Sequence, residues 1–161
     1  MKRNLKITFV GLVALMCLMY AIQNLVNLDE AYFFVSSVVT MGQHAAYPDS
    51  FGPAINSPFL IWPALAMIIA LEIAAGLATA RGAFDMWRAR SADAVQFGAA
   101  MKFAELGCGL GLVTWFGLFF VIGGAYFQMW QTELGMGSLN GSFQNSVMIG
   151  LVLLLMHAPD R

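Results

Sequence analysis

Charged side chains are scarce in this chain of 161 residues. Asp, Glu, Lys and Arg make up 11% of it, whereas soluble domains carry about 25%. Hydrophobic residues make up 60%, and the mean hydropathy is +0.73. So low a charge content excludes an ordinary water-soluble domain. We therefore expect a single integral membrane domain, residues 1–161, which is surrounded by the lipid bilayer and has no nucleic acid partner.

Cysteine and histidine are also scarce, with two of each. Cys17 and Cys108 lie in apolar runs and belong to no CxxC or CxxH set, so we expect neither a disulfide framework nor a zinc site. No histidine lies at their depth to activate a thiol. His44 and His157 fall on opposite sides of the membrane and cannot ligate one haem. The sequence thus predicts no catalytic, cofactor-binding or metal-binding residue, no cofactor and no enzyme activity.

Basic residues are missing from two of the predicted loops. Residues 27–57 and 130–138 hold no Lys or Arg, although both hold acidic residues. If the chain crosses the membrane four times, all eight basic residues fall near the opposite side, at the two termini and in the middle loop. This pattern predicts a multi-pass membrane protein whose N- and C-termini both lie in the cytoplasm.

Four apolar runs are long enough to cross a bilayer, which takes about 20 residues. The third run exceeds one crossing and must tilt, kink or begin as a surface helix. The first also resembles a secretory signal that ends at Ala21, but we expect a retained span. Residues 28–41 begin with an acidic pair and have one apolar face, which predicts a short interfacial helix in the external first loop. The predicted fold is an all-α four-helix transmembrane bundle with spans at about 7–26, 59–80, 95–129 and 139–157.

Small and aromatic residues predict how the spans pack and where they leave the membrane. Gly107 and Gly111 have the GxxxG spacing, and Gly76 lies in a run of small residues. Such glycines allow close approach of two helices, so these three are predicted helix-packing positions. Trp and Tyr are enriched at membrane–water interfaces. The predicted interface anchors are Trp62, Trp87, Tyr126 and Trp130.

Three charged residues lie inside the second and third spans: Glu72, Lys102 and Glu105. If the spans meet the cytoplasmic surface near Arg81 and Asp93, Glu72 and Lys102 are each nine residues from it, roughly 13 Å deep. Glu105 lies one turn from Lys102 on the same helix face. Because a charge at that depth must pair or face a wet cavity, the sequence predicts an intramembrane polar cluster of these three residues.

The cluster has three interpretations. It is either a functional charged centre or a structural ion-pair group that fixes helix register. A perturbed pKa would not separate these two, because functional sites and structural ion pairs both shift pKa values. Alternatively, residues 92–104 form an amphipathic helix on the cytoplasmic surface. Lys102 is then interfacial, and Glu72 must find another polar partner.

Several segments resemble one known family. FVSSVVTM at 34–41, Glu72, GGAYFQMWQ at 123–131 and LNGSFQ at 139–144 are similar to bacterial small integral membrane proteins that form a domain of unknown function. The resemblance covers nearly the whole chain and implies four spans. It implies no activity, cofactor or site residue.

Two functions fit these features. The small size, Gly/Ala faces and short loops favour an accessory or scaffolding subunit of a larger membrane complex, with a membrane protein or a second copy as its partner. The alternative is a small ion- or proton-conducting transporter or channel that works as an oligomer. In that case Glu72, Lys102 and Glu105 line its path.

Overall fold

The computed structural model of the chain describes residues 2–159, and no β-strand occurs in that part. The all-α prediction is confirmed. Four helical stretches are long and apolar enough to cross a membrane. The elements are α1 (Lys2–Val26), α2 (Leu28–Val39), α3 (Pro58–Arg88), α4 (Ala94–Ala100), α5 (Lys102–Leu112), a π-helical segment (Val113–Tyr126), a 3-10 turn (Met129–Gln131) and α6 (Glu133–His157).

The centre of the bundle is α3, which packs most extensively against α1 on one side and α5 on the other. The last helix, α6, packs mainly on the π segment and contacts both α5 and α1. Small side chains such as Cys17, Ala75 and Cys108 are fully buried where these helices meet. Large residues, including Met86 and Ile149, fill the remaining interior. Exposed Leu, Phe and Met side chains cover the outside, as a helix bundle in lipid requires.

The helix α3 continues to Arg88, eight residues beyond the predicted end of the second span. The residues after Ala80 had been expected to form a charged turn, but they stay helical. Arg81 and Asp85 pair at 2.8 Å, and an ion pair at this i,i+4 spacing stabilises an exposed helix face. Gly82 packs directly against the backbone of Ala104 in α5, which holds the extension to the bundle.

The third membrane stretch, Ala94–Tyr126, contains a turn and a change of helix type. A turn at Met101 separates α4 from α5, and the helix widens into π geometry from Val113 onward. The N–H of Phe127 donates to the carbonyl of Ile122, the i→i−5 pattern of a π-helix. The predicted excess length is therefore taken up by a turn at one end and by wider winding at the other.

The predicted helix of the first loop exists as α2 and meets α1 at a sharp turn at Asn27. Val35 and Val39 are buried against Ile61 and Leu65 in the first half of α3. The stacked rings of Tyr32 and Trp62, 4.5 Å apart, fasten the same two helices. That α2 lies in the membrane interface stays a prediction.

The first loop is tied to the turn between the π segment and α6. Gln131 Oε1 accepts hydrogen bonds from the backbone N–H groups of Ala46 and Tyr47, at 2.9 and 2.8 Å. Tyr126 donates its hydroxyl proton to the carbonyl of Pro53 at 3.2 Å. The helix α6 then begins at Glu133, six residues before the predicted span. It begins there because Thr132 Oγ1 caps it by accepting from the N–H of Gly135 at 3.0 Å.

At the other end of the bundle, basic side chains join the N-terminus to the middle loop and the C-terminal end. Arg3 donates to the carbonyl groups of Arg90 and Ala92, and its guanidinium lies 4.4 Å from the ring centroid of Phe97. Lys6 is 4% exposed and donates to the carbonyl of Ala158. The structure thus gathers basic residues from distant parts of the sequence at one end.

Candidate functional site

Glu72 is buried near the middle of α3, with 1% of its surface exposed. Its partner is Asn24 of α1, whose side-chain Nδ2 donates to Glu72 Oε2 at 2.9 Å. Among residues 2–159, no Lys or Arg forms an ion pair with Glu72. A neutral amide therefore partners the carboxyl group at the depth where an ion pair had been expected.

The second oxygen of Glu72 faces a cavity. Every fully enclosed side-chain nitrogen and oxygen in the described chain has a hydrogen-bond partner. Within residues 2–159, Oε1 accepts no hydrogen bond, so it is not fully enclosed. Glu72 lines a cavity of about 500 Å³, and we infer that Oε1 is the atom that opens on it.

We call this cavity the Glu72 cleft. Five elements build it: α1, α2, α3, the π segment and the first half of α6. Glu72 is the one residue that α3 contributes. The residues that line the cleft are Tyr20, Asn24, Phe34, Glu72, Trp115, Phe119, Glu133, Leu134, Gly137, Ser138, Gly141, Ser142 and Asn145.

Two aromatic pairs line the cleft together with Glu72. Tyr20 and Trp115 meet edge to face with ring centroids 5.5 Å apart. Phe34 and Phe119 stack at 6.4 Å. Trp115 and Phe119 both belong to the π segment, which therefore supplies one ring of each pair.

Lys102 does not reach Glu72, and the equal-depth count needs correction. Helices α3 and α5 run antiparallel, with Gly82 beside Ala104 and Thr79 beside Gly107. The same register sets Glu72 level with about Thr114, twelve residues from Lys102 or roughly 18 Å along the helix. The count was wrong because it ended α3 near Arg81. Lys102 is instead exposed at the start of α5.

Glu105 is also separate from Glu72. Its Oε1 lies 3.4 Å from Nε2 of His157 at the end of α6, and both side chains are well exposed. This contact belongs to the end of the bundle that holds Arg3 and Lys6, since His157 is next to Ala158. The structure thus divides the predicted cluster between a central carboxyl group and an end of the bundle.

The three predicted packing glycines each lie against another helix. A Cβ atom on Gly107 would overlap Thr79 and the carbonyl of Ala75 in α3. One on Gly76 would meet Leu18 of α1, 2.6 Å from Cγ. One on Gly111 would lie 3.0 Å from the flexible end of Ile149 in α6. Gly107 is the most restricted of the three because its added Cβ would lie 2.5 Å from the backbone nitrogen of Thr79 and 2.8 Å from the carbonyl oxygen of Ala75.

The predicted anchors lie at both ends of the bundle. Trp62 and Tyr126 contact α2 and the first loop, as described above, and Trp130 meets Tyr47 edge to face at 5.4 Å. Trp87 lies in the last turn of α3, under the guanidinium of Arg90 at 4.7 Å. Their contact with lipid headgroups stays a prediction.

Sequence reasoning missed the aromatic walls of the cleft and the partner of Glu72. Asn24 carried a signal, because a polar side chain near the outer end of an apolar helix needs a hydrogen-bond partner. Trp115 and Phe119 lie four residues apart and share one face of a helix, but aromatic residues are common in membrane spans, so this spacing did not single them out. Across residues 2–159, no group of three or more His, Cys, Asp or Glu side chains converges to hold a metal ion.

The four apolar helices and their exposed hydrophobic surface define a small, multi-pass integral membrane protein. A family model matches residues 2–159, and its description is "Predicted small integral membrane protein (DUF2165)". The chain belongs to this family, whose function is unknown, and the resemblance seen in the sequence is confirmed. No curated protein and no solved structure matches the chain.

Proposed function

We propose that this small integral membrane protein is an accessory or scaffolding subunit of a larger membrane complex. One observation carries the proposal: three exposed phenylalanines lie ring to ring on the outside of the bundle, the first pair stacked and the second tilted by 39°. The ring centroids of Phe116 and Phe120 are 6.0 Å apart, and those of Phe120 and Phe143 are 6.1 Å apart. We call Phe116, Phe120 and Phe143 the phenylalanine stack.

The stack suits a helix of another protein. Helices associate in lipid through close packing rather than through the hydrophobic effect, so a preformed set of packed rings favours association. Aromatic residues supply a large contact area and dominate many protein interfaces. The stack also joins two elements, the π segment and α6, so its surface does not depend on one flexible side chain.

Blue-native electrophoresis after mild detergent extraction tests this role. The wild-type protein should migrate in a complex much larger than itself, and the double variant Phe116→Ala/Phe143→Ala should migrate as a free protein. Leu12→Ala/Leu15→Ala is the matched control, since both leucines are exposed on α1. A wild-type protein that migrates only as a small species would refute the accessory role. A shift in the control as large as in the stack variant would refute the stack as its surface.

A second candidate is an oligomeric transporter or channel, and the observation that favours it is the placement of Glu72. Ionisable residues inside membranes often mark ion or proton paths. Glu72 lies about midway along α3 with one oxygen open to the cleft. In proteoliposomes, a transporter of this kind should move protons or small cations, and Glu72→Gln should abolish the flux. Equal flux in empty liposomes would refute this candidate.

We further propose that the protein lies in the bacterial inner membrane with both termini in the cytoplasm. The gathering of Arg3, Lys6 and Arg90 at one end supports this orientation through the positive-inside rule. Single cysteines at Asp49 and Ser91, both exposed positions, test it by labelling in intact cells. An impermeant reagent should label position 49 and leave position 91 unlabelled. Labelling of both from outside would refute the orientation.

A further inference from the structure

Among residues 2–159, the walls of the Glu72 cleft carry carboxyl groups and no basic side chain. Glu72 and Glu133 both line it, and no Lys, Arg or His of that part of the chain does. Arg3, Lys6 and Arg90 are gathered at the opposite end of the bundle. In a low-dielectric membrane interior, this distribution favours a cationic ligand and disfavours an anion.

The ligand-facing oxygen is already present. Glu72 is 1% exposed, and Asn24 donates a hydrogen bond to one of its two carboxyl oxygens. The other oxygen, Oε1, accepts no hydrogen bond within residues 2–159, and we inferred above that it opens on the cleft. A carboxyl group held by one donor on one side is a preorganised acceptor on the other. A charge-assisted contact to a cation would complete its coordination.

Aromatic rings complete the chemistry of the site. The pairs Tyr20–Trp115 and Phe34–Phe119 line the same cleft as Glu72. Cations are attracted to the faces of Trp, Tyr and Phe, and quaternary ammonium groups are commonly bound by a set of such rings. The same rings offer apolar contact area to the body of a ligand.

The dimensions fit a small molecule. The cleft encloses about 500 Å³, within the range of roughly 300–1,000 Å³ typical of ligand pockets. The α6 wall includes two glycines, Gly137 and Gly141, at which an added Cβ would meet nothing within 4 Å. This leaves the cleft open on that wall.

We propose that the Glu72 cleft binds an organic cation, an ammonium or phosphonium group carried on an apolar body. The Glu72 carboxylate pairs with the positive charge through Oε1, and the aromatic pairs contact the apolar body of the ligand. The cation is either a free lipophilic molecule or the ammonium headgroup of a membrane lipid, because both share this chemistry. The proposed binding site does not depend on whether the protein assembles with a partner or works alone.

Tetraphenylphosphonium and tetraphenylborate test the charge preference, because they have nearly the same shape and opposite charge. The full-length protein is purified in dodecyl maltoside, and its thermal unfolding is followed while each ion is titrated. The cation should raise Tm in a saturable manner because it binds the native state. The borate should not. Equal effects of the two ions would overturn a cation site.

Variants locate the binding. Glu72→Gln should weaken tetraphenylphosphonium binding by at least about tenfold, because it removes the electrostatic attraction between the carboxylate and the cation. The control Asp29→Asn removes the same charge from an exposed position on α2 and should bind like wild type. Unchanged affinity in Glu72→Gln would overturn the role of this carboxyl group.

A second variant keeps the test decisive if Glu72→Gln fails to fold. Gly141→Leu projects a side chain into the cleft from a position with open space and leaves Glu72 intact. It should abolish binding. Gly150→Leu, at another open glycine of α6 outside the cleft, should not. Binding that survives Gly141→Leu would place the cation elsewhere and overturn the proposal.

Native mass spectrometry from nanodiscs distinguishes the two sources of the cation. Retention of phosphatidylethanolamine over phosphatidylglycerol, lost in Gly141→Leu, would identify a lipid headgroup as the ligand. Saturable binding of tetraphenylphosphonium without such retention would identify a free cation. If the wild-type protein shows neither, the cleft is not a cation site.

Discussion

The side-chain amide of Asn24 donates a 2.9 Å hydrogen bond to Oε2 of Glu72 and so joins α1 to α3 inside the bundle. This contact spans 48 residues of sequence and fixes one oxygen of a carboxyl group that is otherwise surrounded by apolar helices. It also determines which oxygen remains for the cleft. The stability of the bundle and the properties of the cleft are therefore coupled through Asn24.

The first prediction concerns this pair. Asn24→Leu removes the donor and should destabilise the protein by about 1–3 kcal/mol, because a buried acceptor is left unsatisfied. Glu72→Leu removes the acceptor and leaves the amide unsatisfied in the same way. The double variant should lose less than the sum of the two single losses. Unfolding by SDS in mixed micelles, followed by circular dichroism, measures all three. Strictly additive losses would show that the two side chains do not interact.

The second prediction concerns Lys102. Because it is exposed at the start of α5 and roughly 18 Å from the level of Glu72, Lys102→Met should change stability by no more than about 0.5 kcal/mol. The same unfolding assay measures it beside Glu72→Leu. A loss as large as that of Glu72→Leu would restore the ion pair that the equal-depth count suggested.

The sequence predicted the features that depend on residues within one helix and failed for those that depend on contacts between helices. The four spans and the packing glycines follow from local composition, since an apolar run of sufficient length and a small residue are visible within one helix. The position of Lys102 relative to Glu72 is not local. It depends on where α3 ends, and the Arg81–Asp85 pair and the contact at Gly82 extend that helix to Arg88.

The candidate site was predictable only in its central residue. A lone Glu in an apolar span indicates a buried polar site whatever its partner is. The partner itself, Asn24, and the aromatic walls come from other elements, so neither is visible within the apolar run around Glu72. Pairing between helices is decided by tertiary contacts.

The third prediction compares two glycines half a turn apart on α5. Gly107→Ala should destabilise the protein by about 1–3 kcal/mol, because the new methyl group would overlap Thr79 and the carbonyl of Ala75. Gly109→Ala is the matched control. An added Cβ there meets nothing within 4 Å, so alanine should stabilise the helix by about 0.5–1 kcal/mol. Opposite signs are expected in the SDS unfolding assay, and equal losses would contradict the contact between α3 and α5.

The last prediction concerns Gln131, which holds the first loop against the turn before α6. Its Oε1 accepts from the N–H groups of Ala46 and Tyr47, and its Nε2 donates to the carbonyl of Tyr47 at 3.2 Å. Gln131→Ala removes these three hydrogen bonds and the one that Nε2 donates to Oε1 of Gln128 at 2.6 Å, so the amides of residues 46 and 47 should exchange with deuterium about tenfold faster. Gln131→Glu keeps an acceptor oxygen for both N–H groups and loses the donor to Tyr47 and Gln128, so it should retain most of the protection. Hydrogen exchange in detergent, read by mass spectrometry over residues 42–57, separates the two variants. Equal exchange in both would mean that the loop is held by Tyr126 and the aromatic contact of Trp130, and that Gln131 only lies beside it.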